Sequence, residues 1–250
     1  MLQPDLLKNK FEELKKEKKC GFISFITAGD PDFNTSYKIL EKLPECGVDI
    51  IELGMPFSDP MADGPIIQLS SSRAIENNTD LDSIFYICKE FRKINNYTPL
   101  ILMGYYNVIF NYGISKFVNT CESRGVDGLI VVDLQPEEDP ELLKAIKTKK
   151  IDLIRLITPT TDSSRLKTIL KNASGFLYYV TITGITGQHS ANIKDLKKSI
   201  LKVKKQTNLP IVSGFGIKNA KQIKEVCEFS DGAVVGSSII KIIEENYISS

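Results

Sequence analysis

The sequence predicts an α/β protein, a single (β/α)8 TIM barrel domain over residues 1–250 with an extra N-terminal helix. Three observations point there. Eight short apolar runs recur along the chain, each followed by a segment of helical period. The runs are nearly continuous in Ile, Val, Leu and Tyr, as suits strands buried on both faces of a parallel sheet. A chain of 250 residues, 42% hydrophobic, is of normal size for one such barrel. An open doubly wound sheet uses the same alternation. The count of eight favours the barrel, and no linker, low-complexity tract or break in composition divides the chain.

Taken in order, the predicted strands are "GFISFIT" (21–27), "DIIEL" (49–53), "LILMG" (100–104), "GLIVV" (128–132), "DLIRLI" (152–157), "FLYYVT" (176–181), "PIVSG" (210–214) and "GAVVG" (232–236). Each has Gly, Pro, Asp or Thr at or just beyond its end. Between them, "SYKILEKLPEC" (36–46) follows the N-cap candidates Asn34 and Thr35, and "DLDSIFYICKEFRKI" (80–94) starts on another, Asp80. "DLKKSILKVKKQ" (195–206) and "AKQIKEVCEF" (220–229) repeat apolar residues every three or four positions. Before the first strand, Leu7, Phe11 and Leu14 fall at i, i+4 and i+7 in a Lys-rich stretch interrupted by Glu12, Glu13 and Glu17. That pattern reads as a surface helix with one apolar stripe, not as a targeting peptide.

Charge and composition exclude several classes. With 32 basic against 31 acidic residues, nothing electrostatic calls for nucleic acid or an anionic membrane. No apolar run approaches the ~18 residues of a spanning helix. The five cysteines (Cys20, Cys46, Cys88, Cys121, Cys227) are odd in number and form no CxxC pair. They read as reduced, mostly buried thiols of a reducing compartment. A single histidine, His189, argues against a Ser-His-Asp triad and against a His-rich metal site.

In this fold, chemistry sits at the C-terminal strand ends and in the loops that follow them. "ELGMPFSDPMADGP" (52–65) places Glu52, Asp59 and Asp63 there with no cation nearby in sequence. Glu52 is near the end of the second strand, where either the barrel interior or the helix layer would desolvate it and raise its pKa; an ion pair with a distant Lys is the bland alternative. Pro56 and Pro60 stiffen the loop that carries Asp63. Two carboxylates in different environments are a common route to an acid and a base near neutral pH, although Asp before Gly, or Asp59 before Pro60, is also ordinary turn chemistry. "SGFGI" (213–217) and "VVGSSII" (234–240) end the last two strands, where phosphate groups often bind on backbone N–H groups and a helix N-terminus. "TGITGQ" (183–188) reads as a lid or a further part of the phosphate cup. The residues alone thus point to carboxylate acid–base chemistry on a small phosphorylated substrate, without a metal or organic cofactor motif.

"DIIELGMPFSDPMADGPIIQ" (49–68), "FITAGDP" (25–31), "YYNVIFNYG" (105–113), "GVDGLIVVDLQPEE" (125–138), "GITG" (184–187), "GFGI" (214–217) and "VVGSSIIKIIE" (234–244) resemble, in order, the motifs of the tryptophan synthase alpha chain family. The resemblance covers essentially residues 5–247. It implies a lyase that cleaves indole-3-glycerol phosphate to indole and glyceraldehyde 3-phosphate. It implies that Glu52 moves the protons and that Asp63 holds the indole N–H. Tyr178 matches a tyrosine near the glutamate, Phe25, Met103, Ile130 and Phe215 match indole-pocket positions that would also serve as barrel packing, and Thr186 matches a lid threonine. Gly187, Gly216, Gly236 and Ser237 match the phosphate site. Asp59, Pro56 and Pro60 match the loop that touches a beta chain in an α2β2 tetramer, and the pyridoxal phosphate of that complex belongs to the beta partner, so this chain needs no cofactor. "GQHSAN" (187–192) departs by lacking an Arg frequent in the lid, Phe176 replaces a tyrosine of some members, and His189 reads as a solvated loop residue. The expected setting is the cytoplasm, or the plastid stroma if the source is a photosynthetic eukaryote. A stand-alone lyase releasing free indole is the nearest rival reading. A sugar-phosphate isomerase or epimerase would want a catalytic or metal-binding histidine, and a non-catalytic regulatory barrel would have no use for Glu52 and Asp63.

Overall fold

A computed structural model describes residues 5–180, 193–214, 216–217 and 219–248. Its strands are β1 (Gly21–Thr27), β2 (Ile50–Gly54), β3 (Leu100–Gly104), β4 (Gly128–Val131), β5 (Asp152–Ile157), β6 (Leu177–Val180), β7 (Ile211–Gly214) and β8 (Gly232–Val235). Every neighbour pair is parallel, and β8 pairs back onto β1 to close the barrel. The expected strands differ from these by no more than one residue at an end. The described helices are α1 (Leu6–Glu17), α2 (Phe33–Lys42), α3 (Pro65–Glu76), α4 (Leu81–Ile94), α5 (Tyr106–Tyr112), α6 (Ile114–Ser123), α7 (Pro140–Ile146), α8 (Ser163–Leu170), α9 (Ile193–Lys204), α10 (Ala220–Cys227) and α11 (Ser237–Ile248). Two helices follow each of β2 and β3, so the chain is richer in helix than one per strand.

Alternation along each strand divides the core in two. Ile23, Ile50, Ile101, Ile130, Ile154, Val212 and Val234 fill the barrel interior. Their neighbours Ile51, Leu53, Leu100, Leu102 and Leu129 pack outward against the helices. The stripe Leu7, Phe11 and Leu14 of α1 is buried and closes the interior from below, with the Phe11 ring 5.6 Å from that of Phe176. Burying an amphipathic stripe against the open bottom of the barrel is what fixes this helix in place.

A polar residue before each even strand caps the start of the odd strand beside it. Carboxylate oxygens of Asp49, Asp127 and Asp231 accept from the backbone N–H groups of Phe22, Leu100 and Ile211, each at 2.8 Å, and the Ser174 hydroxyl accepts from Leu153 N–H at 2.9 Å. These donors sit where a strand begins and would otherwise lack a partner.

Two expectations need correction, and one helix had no sequence signal. The helix after β1 starts earlier than Asn34 or Thr35 allow: Asp32, extended at φ −149°, is the N-cap and accepts from Thr35 N–H. Asp80 does cap α4, accepting from Ser83 N–H. Helix α3 was not legible, because its buried residues are Ser70, Ser71 and Ala74, with no apolar stripe. Arg73 anchors it instead: its guanidinium donates to both oxygens of Asp30 at 2.6 and 3.0 Å and to Glu244 at 2.7 Å. Finally, Cys20 and Cys227 are joined in a disulfide, their Cα atoms 5.5 Å apart, where reduced thiols were expected. They lie 207 residues apart in sequence, and only closure of β8 onto β1 brings them together. Cys88 and Cys121 are buried free thiols, and Cys46 is exposed. Among the described residues, no helix is long and apolar enough to cross a membrane.

Candidate active site

The register settles which way Glu52 points. It pairs with Phe25 on β1 and Ile101 on β3, and it shares a face with Ile50 of the interior. Its side chain is 0% exposed, and neither carboxylate oxygen has a hydrogen-bond partner among the described residues. Burial alone pushes its pKa up to about 8, because a charged carboxylate in an apolar interior loses its hydration without replacement.

Above Glu52, at the C-terminal mouth, lies a cavity of about 360 Å³. Phe25 of β1, Met103 of β3 and Tyr178 of β6 line it, with Asp63 at one side and Gly216, Gly236 and Ser237 at the other. Two glycines let the rings come this close. A Cβ added at Gly54 would stand 2.6 Å from Phe25 Cζ, and one at Gly214 would stand 2.7 Å from Tyr178 Cζ, both inside van der Waals contact. Burial is the larger cause, and the charges of Glu52 and Asp63 the lesser, that raise the Tyr178 hydroxyl well above its ordinary range. It therefore stays protonated and able to donate.

Asp63 is partly buried at the tip of the β2–α3 loop. Burial raises its pKa, and a hydrogen bond from the Tyr105 hydroxyl opposes that rise. The loop backbone is braced: Asp63 N–H donates to Pro60 O at 3.1 Å, and Gln68 Nε2 donates to Asp63 O at 2.8 Å. On the far side of the cavity α11 begins at Ser237, directly after Gly236. Of its first-turn N–H groups, those of Ile239 and Ile240 donate to Gly236 O at 2.9 and 3.1 Å; those of Ser237 and Ser238 lie at the positive end of the helix dipole, which suits an anion. Ser238 also lines the cavity, and its hydroxyl donates to Ile217 O at 3.0 Å.

The structure thus brings Glu52, Asp63, Tyr178, Phe25, Met103, Gly216, Gly236 and Ser237 to one end of the barrel. Ile130 differs. It is 0% exposed and packs in the interior core, while Val132, two residues on and on the same face, lines the cavity. The tilt of barrel strands sets Ile130 one layer too deep although it is in register with Met103. Leu156 and Val180 line the cavity for the same reason as Val132, and same-face alternation from Ile154 and Tyr178 could have found them. For Tyr105 the one usable sequence signal is its place one residue after β3. Thr186, Gly187, His189 and Phe215 lie outside the described residues. Pro56, Asp59 and Pro60 do not line the cavity, and Asp59 is exposed. Among the described residues no group of three or more His, Cys, Asp or Glu is placed to hold a metal ion.

The chain is a closed (β/α)8 barrel with a buried acid beneath its C-terminal mouth and a second acid beside the cavity there. The sequence model of the tryptophan synthase alpha chain family matches residues 11–249, and the chain belongs to that family. It is similar to the crystal structure of tryptophan synthase subunit alpha from Legionella pneumophila str. Paris, with 37% identity, a TM-score of 0.92, and coverage of 98% of this chain and 90% of that one. A structure from Aquifex aeolicus VF5 is 34% identical, with a TM-score of 0.90 over 98% of this chain and 93% of that one. Tryptophan synthase from M. tuberculosis, in an open form with BRD0059 bound, is 26% identical, with a TM-score of 0.88 over 96% and 92%. Family membership makes the chain a lyase of tryptophan biosynthesis, cleaving indole-3-glycerol phosphate to indole and glyceraldehyde 3-phosphate.

Proposed function

We propose that Glu52 moves both protons of this cleavage and that Asp63 holds the indole N–H. What supports the reading is the protonated state that burial imposes on Glu52 near neutral pH. Glu52 gives its proton to indole C3, and positive charge then spreads to the ring nitrogen. The Glu52 carboxylate so formed takes the proton of the C3′ hydroxyl as the carbon–carbon bond breaks, the bond pair returning to the ring and the hydroxyl carbon becoming the aldehyde. The glutamate ends as it began, and no outside proton source enters. Asp63, ionised, offsets the charge at nitrogen. Phe25 and Met103 flank the ring plane, with Val132 and Leu156 beside them and Ile130 supporting from below. Tyr178 lines the site near Glu52. Gly216, Gly236 and Ser237 take the phosphate; Thr186, Gly187 and Phe215 hold the roles that the resemblance gives them. The pocket is built for substrate alone, and pyridoxal phosphate would belong to the beta chain.

The test is indole release from purified chain and indole-3-glycerol phosphate, with and without a beta chain. Indole should form in both; none in either would overturn the reading, and full activity without a beta chain would favour the stand-alone lyase. The pH profile has a definite sign. The donor is the protonated glutamate, and its raised pKa extends that form upward, so kcat/KM should fall as pH rises through about 8. A basic limb set instead by an ordinary lysine or tyrosine, two or more units higher, would remove Glu52 as the donor.

The beta chain is proposed to dock on the β2–α3 loop through Pro56, Asp59 and Pro60. Support comes from two exposed apolar side chains at this end of the barrel, Met61 (79%) in that loop and Phe110 (59%) in α5, where a soluble surface gains by being covered. Changing both to Ala should weaken binding to a beta chain about tenfold or more, a loss of ~1.4 kcal/mol, as read by titration calorimetry. Unchanged affinity would move the interface elsewhere.

A further inference from the structure

We propose that Tyr105 is the positioning residue that holds the Asp63 carboxylate over the cavity before substrate arrives. This rests on the reading of Asp63 as acceptor of the indole N–H. The loop backbone bonds at Pro60 and Gln68 fix where Asp63 begins, but they leave its carboxylate free to turn toward solvent. One hydroxyl removes that freedom. Tyr105 Oη donates to Asp63 Oδ2 at 3.0 Å and accepts from Ala62 N–H at 2.9 Å. Both bonds of the hydroxyl are spent on adjacent residues of one loop, so the loop tip and the carboxylate are clamped together.

Tyr105 is itself held. It follows Gly104, the last residue of β3, it is 3% exposed, and its ring stacks on Phe57 with centroids 5.1 Å apart. A rigid strand end therefore sets the position of an acid carried on a loop, which a loop alone would not do. The geometry also sorts the two carboxylate oxygens. Oδ2 is engaged by Tyr105, and Oδ1 is the oxygen left for the ring nitrogen. The same bond opposes the upward push that burial gives the Asp63 pKa, so it favours the ionised form that the role requires. Such fixed positioning acts where charge develops, in the transition state, more than on the bound ground state.

The experiment compares wild type with Tyr105→Phe, Asp63→Asn and the double variant in the cleavage of indole-3-glycerol phosphate. Phe keeps the ring and its stacking on Phe57, so the melting temperature should hold and reports on folding. Tyr105→Phe should lower kcat about tenfold or more. KM should change by less than about threefold, since the phosphate and ring contacts are untouched. In the Asp63→Asn background the same change should cost almost nothing further, because the residue it positions has lost its charge. A wild-type kcat in Tyr105→Phe, or an equal fold loss in both backgrounds, would overturn the inference while leaving Asp63 in its role. An unimpaired Asp63→Asn would instead overturn the role of Asp63, and the inference with it.

Discussion

Replacing Glu52 with Gln should cut turnover by at least about 10³-fold, because one group is removed both as proton donor and as proton acceptor. Gln fills the same volume and cannot deliver a proton, so KM should move little. The same substitution has a second readout that separates chemistry from burial. The folded-state pKa of Glu52 is about 8 against an ordinary 4.5. Below the ordinary value the carboxyl is neutral in both states and costs nothing. As pH rises between those two values, the unfolded chain ionises while the folded one stays protonated, so stability is progressively lost, and the full loss is in place above the folded pKa. The size is set by the shift, up to about 5 kcal/mol as an order of magnitude. Gln has no proton to lose. Its melting temperature should therefore decline less over this window than that of the wild type, Asp127 (raised to about 6) and the other buried acids contributing equally to both, with an offset of ~1–3 kcal/mol for burying an unpaired amide. Parallel melting profiles for the two proteins would show that Glu52 is not a buried neutral acid. A decline in the wild type that the Gln variant lacks would mark Glu52 as a place where stability is given up for reactivity.

Asp63→Asn should reduce kcat about 10²- to 10³-fold, the usual range when a charge partner of a transition state is removed. The amide keeps the size of the side chain and one acceptor oxygen, but not the charge that offsets the ring nitrogen. The loss should therefore appear in kcat more than in KM. Single-turnover measurements of carbon–carbon cleavage would confine the effect to the chemical step. If only product release slowed, Asp63 would belong to the loop's motion and not to the reaction.

How far the site could be read in advance differs residue by residue. Asp63 and Glu52 stand out because they lie on a Pro-rich loop and at a strand end with no cation nearby in sequence. Gly216, Gly236 and Ser237 follow from their position after the last two strands. Ile130 shows the limit: alternation gives its face but not its depth, since depth depends on strand tilt around a closed barrel. Tyr105 was hidden for a different reason. Its partners Ala62 and Asp63 are about forty residues earlier in the chain, and no local pattern marks such a contact.

The sequence by itself determined the strand pattern, the apolar stripe of α1, the carboxylates at the second strand and its loop, and the glycine-rich ends of the last two strands. These are local properties, written in period and in residue type. Only the tertiary structure decided that Glu52 points inward, with burial as the sole cause of its raised pKa, and that Tyr105 reaches the Asp63 carboxylate. It alone placed the Asp and Ser caps under the odd strands and joined Cys20 to Cys227. The reason is common to all of these. Each depends on which distant strand lies alongside, and that is fixed by closing eight parallel strands into a ring, a constraint that no stretch of chain carries on its own.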